Sequence, residues 1–368
     1  MKQRYVYVLA ALLTVVGASL FLYKWQALGF PLTEDEEKPV WTIEAAVHFD
    51  SGPGTIKAHL HVPTLTPGFR TLNENSVSRG YGFSLNYGSG GREAQWTIRR
   101  ADGEQTLYYR ISVYEDAAVD EADTVPPFPP RPVIEEPFAT AVDIIVSDVR
   151  ERSADTASFT AELLHRLNDP SPDSNVELLL SDVASGADFV AAATTLLAAA
   201  RIPARTVHGF ALAGRQRNAP LLTWLEVHDG DRWLYFNPST GEQTLPDRFF
   251  VWWRGNEPLV TVEGGSRARV EFAVQRNQLD AIAIAETQAR QQGGSAFDFS
   301  LYSLPIQTQA VYAVLLMIPI GALVMVVMRN IVGIDAFGTF MPVLIALAFR
   351  ETRLLWGVIL FTLLVTLG

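Results

Sequence analysis

The sequence predicts a multi-domain membrane protein. Its parts in order are an N-terminal transmembrane helix, a β-sandwich domain, an α+β domain and C-terminal all-α transmembrane helices. Three observations predict this. Apolar runs gather at the two ends of the 368-residue chain, and the longest reach the length a bilayer requires. Residues 41–115 alternate apolar and polar with a period of two, broken by Gly-rich turns. Residues 138–245 mix helical periodicity with strand periodicity.

Composition narrows the function. Hydrophobic residues make up 48% of the chain, and the end segments account for the excess. The formal net charge of −11 disfavours nucleic acid as a partner. No basic stripe, phosphate-binding loop, dinucleotide fingerprint or zinc-ligand spacing is present, and no cofactor is implied. Cysteine is absent, which removes both thiol chemistry and disulfide staples; an exported domain tolerates this. Among six histidines the close pair is His59 and His61. On an alternating strand they share one face, but no third ligand stands at a matching spacing, so no metal site is read.

Residues 1–25 read as the anchor. Lys2 and Arg4 precede the apolar run 5–23, and Glu34, Asp35, Glu36 and Glu37 follow it. This asymmetry puts the N-terminus inside. No clean A-x-A-like cleavage site follows, which favours an uncleaved anchor over the alternative of a cleaved signal peptide. Residues 41–115 are expected to form a sandwich of six to eight strands, with turns at Ser51–Gly54 and Ala101–Gly103. Residues 116–137 are a linker, its Pro126–Pro132 run stiffened toward polyproline II.

Phe138–Leu167 carries apolar residues at helical spacing and predicts one or two helices. Asn168–Asn175 reads as a loop. Ser185 can cap a helix over 189–200, with Asp188 three residues on completing a capping-box pattern; Pro203 stops it. Strands are expected over 205–212, 221–227 and 233–236, with an Asp229–Gly230 turn between the last two. Residues 246–308 are expected to be a strand-and-helix extension toward the membrane. Apolar runs follow at 309–328, 337–349 and 354–367. The last is about 14 residues, short for a span, so the chain reads as the N-terminal portion of a longer one, with 309–368 opening a multi-helix membrane domain.

The segment 181–241 carries a resemblance. Arg201-Ile202-Pro203-Ala204-Arg205-Thr206-Val207-His208-Gly209-Phe210, then Thr223-Trp224-Leu225-Glu226-Val227, then Trp233-Leu234-Tyr235-Phe236-Asn237-Pro238 follow one another at the spacing of the transglutaminase-like superfamily, relatives of the papain-like proteases. The resemblance implies an α+β transglutaminase-like (papain-like) domain over 138–245. In active members a Cys, a His and an Asp form a triad: the thiolate attacks an acyl carbonyl, the His takes the proton, and the acid orients the His. Here those positions hold Gly186, Leu222 and Asn237. Gly186 has no nucleophile and Leu222 no proton acceptor, so the resemblance implies a pseudoenzyme. Shifting the register by one would place Ser185 at the nucleophile position, without a base beside it.

The whole chain resembles the bacterial family of inactive transglutaminases fused to seven transmembrane helices. That implies an extracytoplasmic (periplasmic) domain on an inner-membrane bundle, with ATP-grasp ligases and retropepsin-like proteases as partner systems by family analogy. A degenerate cleft lined by Gly186, Asp188, Trp224 and Asn237 would then bind a peptide or glutamyl-type ligand and couple to the bundle. The alternative is a structural or assembly module that docks a protein partner, its cleft filled by its own side chains.

Overall fold

A computed structural model of the chain describes residues 2–27, 36–64, 66–88, 91–119, 125–181, 186–291, 306–333 and 343–347, with Thr362 and Thr366. The chain divides into two compact units, Pro31–Ile284 on one hand and Met1–Phe30 with Ala285–Gly368 on the other.

The first unit begins with β1 (Glu37–Ser51), β2 (Ile56–Val62), β3 (Phe69–Val77), β4 (Gly82–Gly88), β5 (Gly91–Ile98) and β6 (Glu104–Glu115). On β1 the odd residues Trp41, Ile43, Ala45, Val47 and Phe49 are buried, and on β6 Leu107, Tyr109, Ile111 and Val113. This is the period-two burial of a half-buried strand. Ile56, Ala58, Leu60 and Val62 of β2, with Ala94 and Trp96 of β5, close the same core from the second sheet.

The helices α2 (Phe138–Arg152) and α3 (Thr156–Leu167) fall where the periodicity predicts. Asp155 caps α3 in a capping box with Ser158. Within the segment read as a loop, Asp173 accepts from the backbone N–H groups of Asn175 and Val176 and starts a short helix, α4 (Ser174–Leu180). The central helix α5 runs Gly186–Ala199. Arg201 closes it in the left-handed region (φ 66°), and the N–H of Ile202 donates back to the Leu197 carbonyl, which satisfies a carbonyl the helix end would orphan. Three strands follow: β7 (Ala204–Ala211), β8 (Leu222–His228) and β9 (Trp233–Phe236). The turn between β8 and β9 has Gly230 at φ 115°, with Asp229 accepting from the N–H groups of Asp231 and Arg232.

Within the segment 246–308, expected as a strand-and-helix extension toward the membrane, the strands belong to the sheets of the first unit. β10 (Phe249–Arg254) joins the α+β sheet, giving the order β10-β7-β8-β9. β11 (Val260–Glu263) and β12 (Gly265–Asp280) return to the sandwich, which becomes two four-stranded sheets, β12-β1-β6-β3 and β11-β2-β5-β4. The sandwich is therefore built from both sides of the α+β segment, and β12 lies antiparallel to β1 from Glu37↔Asp280 to Ser51↔Gly265. Alternation alone reveals a strand and not its partner, so this long-range pairing left no local mark.

The α+β sheet has two differently covered faces. On one, Leu225, Val227, Leu234 and Phe236 share a core with the helices, through residues such as Ile145, Leu163, Val190 and Leu197. On the β7–β10 side Phe210, Phe250 and Trp252 belong to the sandwich core. Register and alternation place Arg205, Val207, Leu222, Trp224, Glu226, Tyr235 and Phe249 together on the opposite face.

Beyond the sandwich come α6 (Ala281–Gln291) and, in the second unit, α1 (Lys2–Leu22) and α7 (Ile306–Val327). α7 contains Pro319, and residues 343–347 are helical. Among the described residues no helix is long and apolar enough to cross a membrane. Most of the runs expected at 337–349 and 354–367 lie outside the described residues.

Candidate functional site

Gly186 is the first residue of α5, and Asp188 stands in that helix's first turn. Among the described residues, a Cβ added to Gly186 would meet nothing within 4 Å, so none of them fills the space over this helix start. Helix N-termini carry unpaired N–H groups and a partial positive charge, which favour a carboxylate or carbonyl oxygen. Ser185, the expected cap and alternative nucleophile, lies outside the described residues.

Leu222 opens β8 and is half-buried. It packs with Trp224 and Tyr235 against Val207, Phe249 and Val251. An apolar side chain in that cluster cannot take a proton, whatever stands near it. Trp224 lies 5.9 Å from the Phe249 ring, and its indole N–H donates to the Thr244 carbonyl at 2.8 Å. The ring is thus fixed at both ends.

Asn237 follows β9 and starts a turn. Its side-chain oxygen accepts from the Ser239 N–H at 3.0 Å, while its backbone pairs with Gly241 and Glu242. Asn168, at the end of α3, clamps the same turn by donating to the Pro238 carbonyl at 2.8 Å. The Asn237 side chain therefore shapes a turn (an Asx-turn). Of the sequence-predicted residues, Leu222 and Trp224 come together in one cluster, Asn237 holds the turn after β9, and Gly186 and Asp188 share the start of α5.

Sequence reasoning missed the charges of this sheet face. Glu226 is fully buried. It accepts from Arg254 Nε at 2.9 Å and Nη2 at 3.1 Å, from Arg205 Nε, and from the Tyr235 hydroxyl. Burial pushes the Glu226 carboxyl up, but Arg254 first and Arg205 second hold it below the usual range. Burial, and then the Glu226 carboxylate, push the Tyr235 hydroxyl up. Arg205 also stacks over the Trp233 ring at 3.9 Å. One carboxylate thereby joins side chains from all four strands. Arg205 and Glu226 stand inside the quoted motifs at paired register positions, which was the available signal.

His208 stands in the quoted motif, but the direction of its side chain was not legible there. It is buried, stacked on Trp253 at 3.8 Å, with Nδ1 3.1 Å from the Thr223 hydroxyl and Nε2 3.2 Å from the Gly255 carbonyl. Burial pushes its pKa down to about 4, against the Gly255 carbonyl, which raises it. His59 and His61 do share a strand face: both turn Nδ1 toward Glu93, at 3.3 Å and 3.8 Å. Among the described residues no group of three His, Asp or Glu fits a metal ion.

Comparisons with known proteins give a family. Residues 23–183 match the model described as inactive transglutaminase fused to 7 transmembrane helices. Residues 257–368 match the model of the 7 transmembrane helices usually fused to an inactive transglutaminase, which marks a membrane protein. Residues 141–238 match the transglutaminase-like superfamily core. No curated protein matches the chain. Among solved structures, it is similar to a candidate cysteine protease from Cytophaga hutchinsonii (13% identity, TM-score 0.45, covering 67% of this chain and 93% of that one). It is also similar to the periplasmic domain of TgpA from Pseudomonas aeruginosa bound to ethylmercury (17% identity, TM-score 0.25, covering 52% and 91%).

Proposed function

Because this chain belongs to the family of inactive transglutaminases fused to seven transmembrane helices, we propose that its α+β domain is a pseudoenzyme that binds a peptide or glutamyl-type ligand and couples it to the membrane bundle. The observation that carries this reading is the open space over Gly186 at the first turn of α5. A ligand carboxylate there would be favoured by the partial positive charge of the helix start. Trp224 and Asn237 would wall the neighbouring sheet and turn, and Asp188 would select a cationic or N–H-bearing part of the ligand. No step of acyl transfer is available, since the chain has neither a thiol nor a base at Leu222. On this reading the domain is extracytoplasmic on an inner membrane and the N-terminus is inside.

Coupling has a physical basis in the sandwich. β1 and β12 are paired neighbours, and the Ala281 N–H donates to the Glu36 carbonyl at 2.7 Å. The two ends of the outward unit therefore move together.

The packing of Leu222 against Val207, Phe249 and Val251 favours a second reading, a module that docks a protein partner and needs no small ligand. Ligase or protease systems of the ATP-grasp and retropepsin kinds are the partners the family analogy suggests. Thermal unfolding with and without glutamate-containing peptides separates the two, since a ligand of the folded state raises its melting temperature. A rise that Gly186→Trp abolishes supports the ligand reading. No rise with any such peptide, in a folded unit, rejects it in favour of docking.

A further inference from the structure

We propose that the edge strand β4 pairs with β4 of a second copy of this chain, antiparallel and with its two-fold axis at Leu85. β4 ends the sheet β11-β2-β5-β4, so among the described residues one of its edges carries no strand. All seven of its residues are exposed. Phe83, Leu85 and Tyr87 lie on the core side, opposite Trp96, Ala94 and Arg92 of β5. Phe83 rests 5.5 Å from Trp96, yet remains 40% exposed, with Leu85 at 37% and Tyr87 at 79%. The core face of the sandwich thus runs on past its cover.

Proteins guard such edges with charges, prolines or bulges. β3, one of the two edge strands of the other sheet, has Arg70, Glu74 and an irregularity between Thr71 and Asn73. β4 pairs with β5 without a register shift and contains no charge and no proline.

Two features select a second copy as the occupant. The strand reads the same in both directions about Leu85: Gly82 matches Gly88, Phe83 matches Tyr87, and Ser84 matches Asn86. An antiparallel pair centred there sets aromatic against aromatic and polar against polar on each face, as an isologous interface requires. Charge makes the second case. Two copies at −11 each repel, and an uncharged strand is where they approach at least cost.

The absence of cysteine makes the test clean. In the 368-residue chain, Leu85→Cys puts two sulfurs at the proposed axis, where paired Cα atoms stand about 4.5–5.5 Å apart, within the span of a disulfide. Mild oxidation is expected to give mostly reducible dimer. Val133→Cys, on a fully exposed side chain, reports random collision and should stay monomeric. Ser84→Cys mixed with Asn86→Cys should cross-link, whereas Ser84→Cys alone should not; this pair leaves Leu85 intact should its replacement disturb folding. Adding Phe83→Lys to Leu85→Cys should slow dimer formation at least tenfold. Cross-linking of Leu85→Cys no faster than Val133→Cys, together with no Ser84/Asn86 heterodimer, overturns the proposal. So does shielding of the Leu85→Cys thiol by lipid without any dimer, which would assign the strand to the membrane surface.

Discussion

Arg254 reaches across a whole strand to Glu226: it stands on β10, passes β7, and donates two hydrogen bonds to a carboxylate on β8. Such an ion pair is costly to assemble and costlier to break, because removing one partner leaves the other charge buried and unmatched. Glu226→Ala is expected to destabilise the Pro31–Ile284 unit by about 3–5 kcal/mol in urea unfolding. Since the folded carboxyl is held below its ordinary value, its contribution is fully present above about pH 4.5 and is lost as pH falls through the lower folded value. Glu226→Gln should flatten that acid limb.

His208 sets a second pH window. Its pKa falls from 6.5 in the unfolded chain to about 4 in the buried site. Between these values the unfolded chain binds the proton and the folded chain does not, so stability rises with pH. Stability is expected to drop as pH falls from about 6.5 toward 4. His208→Gln should lessen that slope, read from melting temperatures at pH 7 and pH 5, while lowering stability at both.

Two glycines should answer substitution oppositely. A Cβ on Gly209 would lie 2.3 Å from the Phe250 carbonyl oxygen and 2.8 Å from Phe249 Cζ, where β7 and β10 pair closely. Gly209→Ala is expected to cost about 1–3 kcal/mol or more. Gly186→Ala meets open space and should stay within about 0.5 kcal/mol of the parent. Equal losses at both positions, measured by denaturant unfolding, would contradict this packing.

The strand β12 makes a fourth prediction. Phe272 packs 4.8 Å from Phe210 and 5.0 Å from Trp252, joining a late strand of the sandwich to β7 and β10. Phe272→Ala is expected to cost about 3–5 kcal/mol. It should also speed proteolysis of both the sandwich and the α+β segment, although the residue lies outside the latter.

What could be read from the sequence was local. The helix before Pro203, the strand Trp233–Phe236 and the Asp229–Gly230 turn follow from periodicity and turn chemistry, and each stands where expected. Gly186 at a helix start and Asn237 after a strand followed from the motif spacing. What escaped was non-local or depended on burial. Nothing in Gly265–Asp280 names β1 as its partner, and although Arg205 and Glu226 stand inside the quoted motifs, the pattern leaves unsaid that both charges meet inside the sheet. The short helix at Ser174–Leu180 was hidden by its polar entry, where Asp173 reads equally as a turn former and a cap.

The pairing of β1 with β12 has a mechanical corollary. The two strands are zipped side by side over fourteen paired positions, with Glu36 and Ala281 bonded at one end. Turning one strand without the other would shear that zipper, so within the sandwich the pair behaves as a torsion bar rather than a hinge.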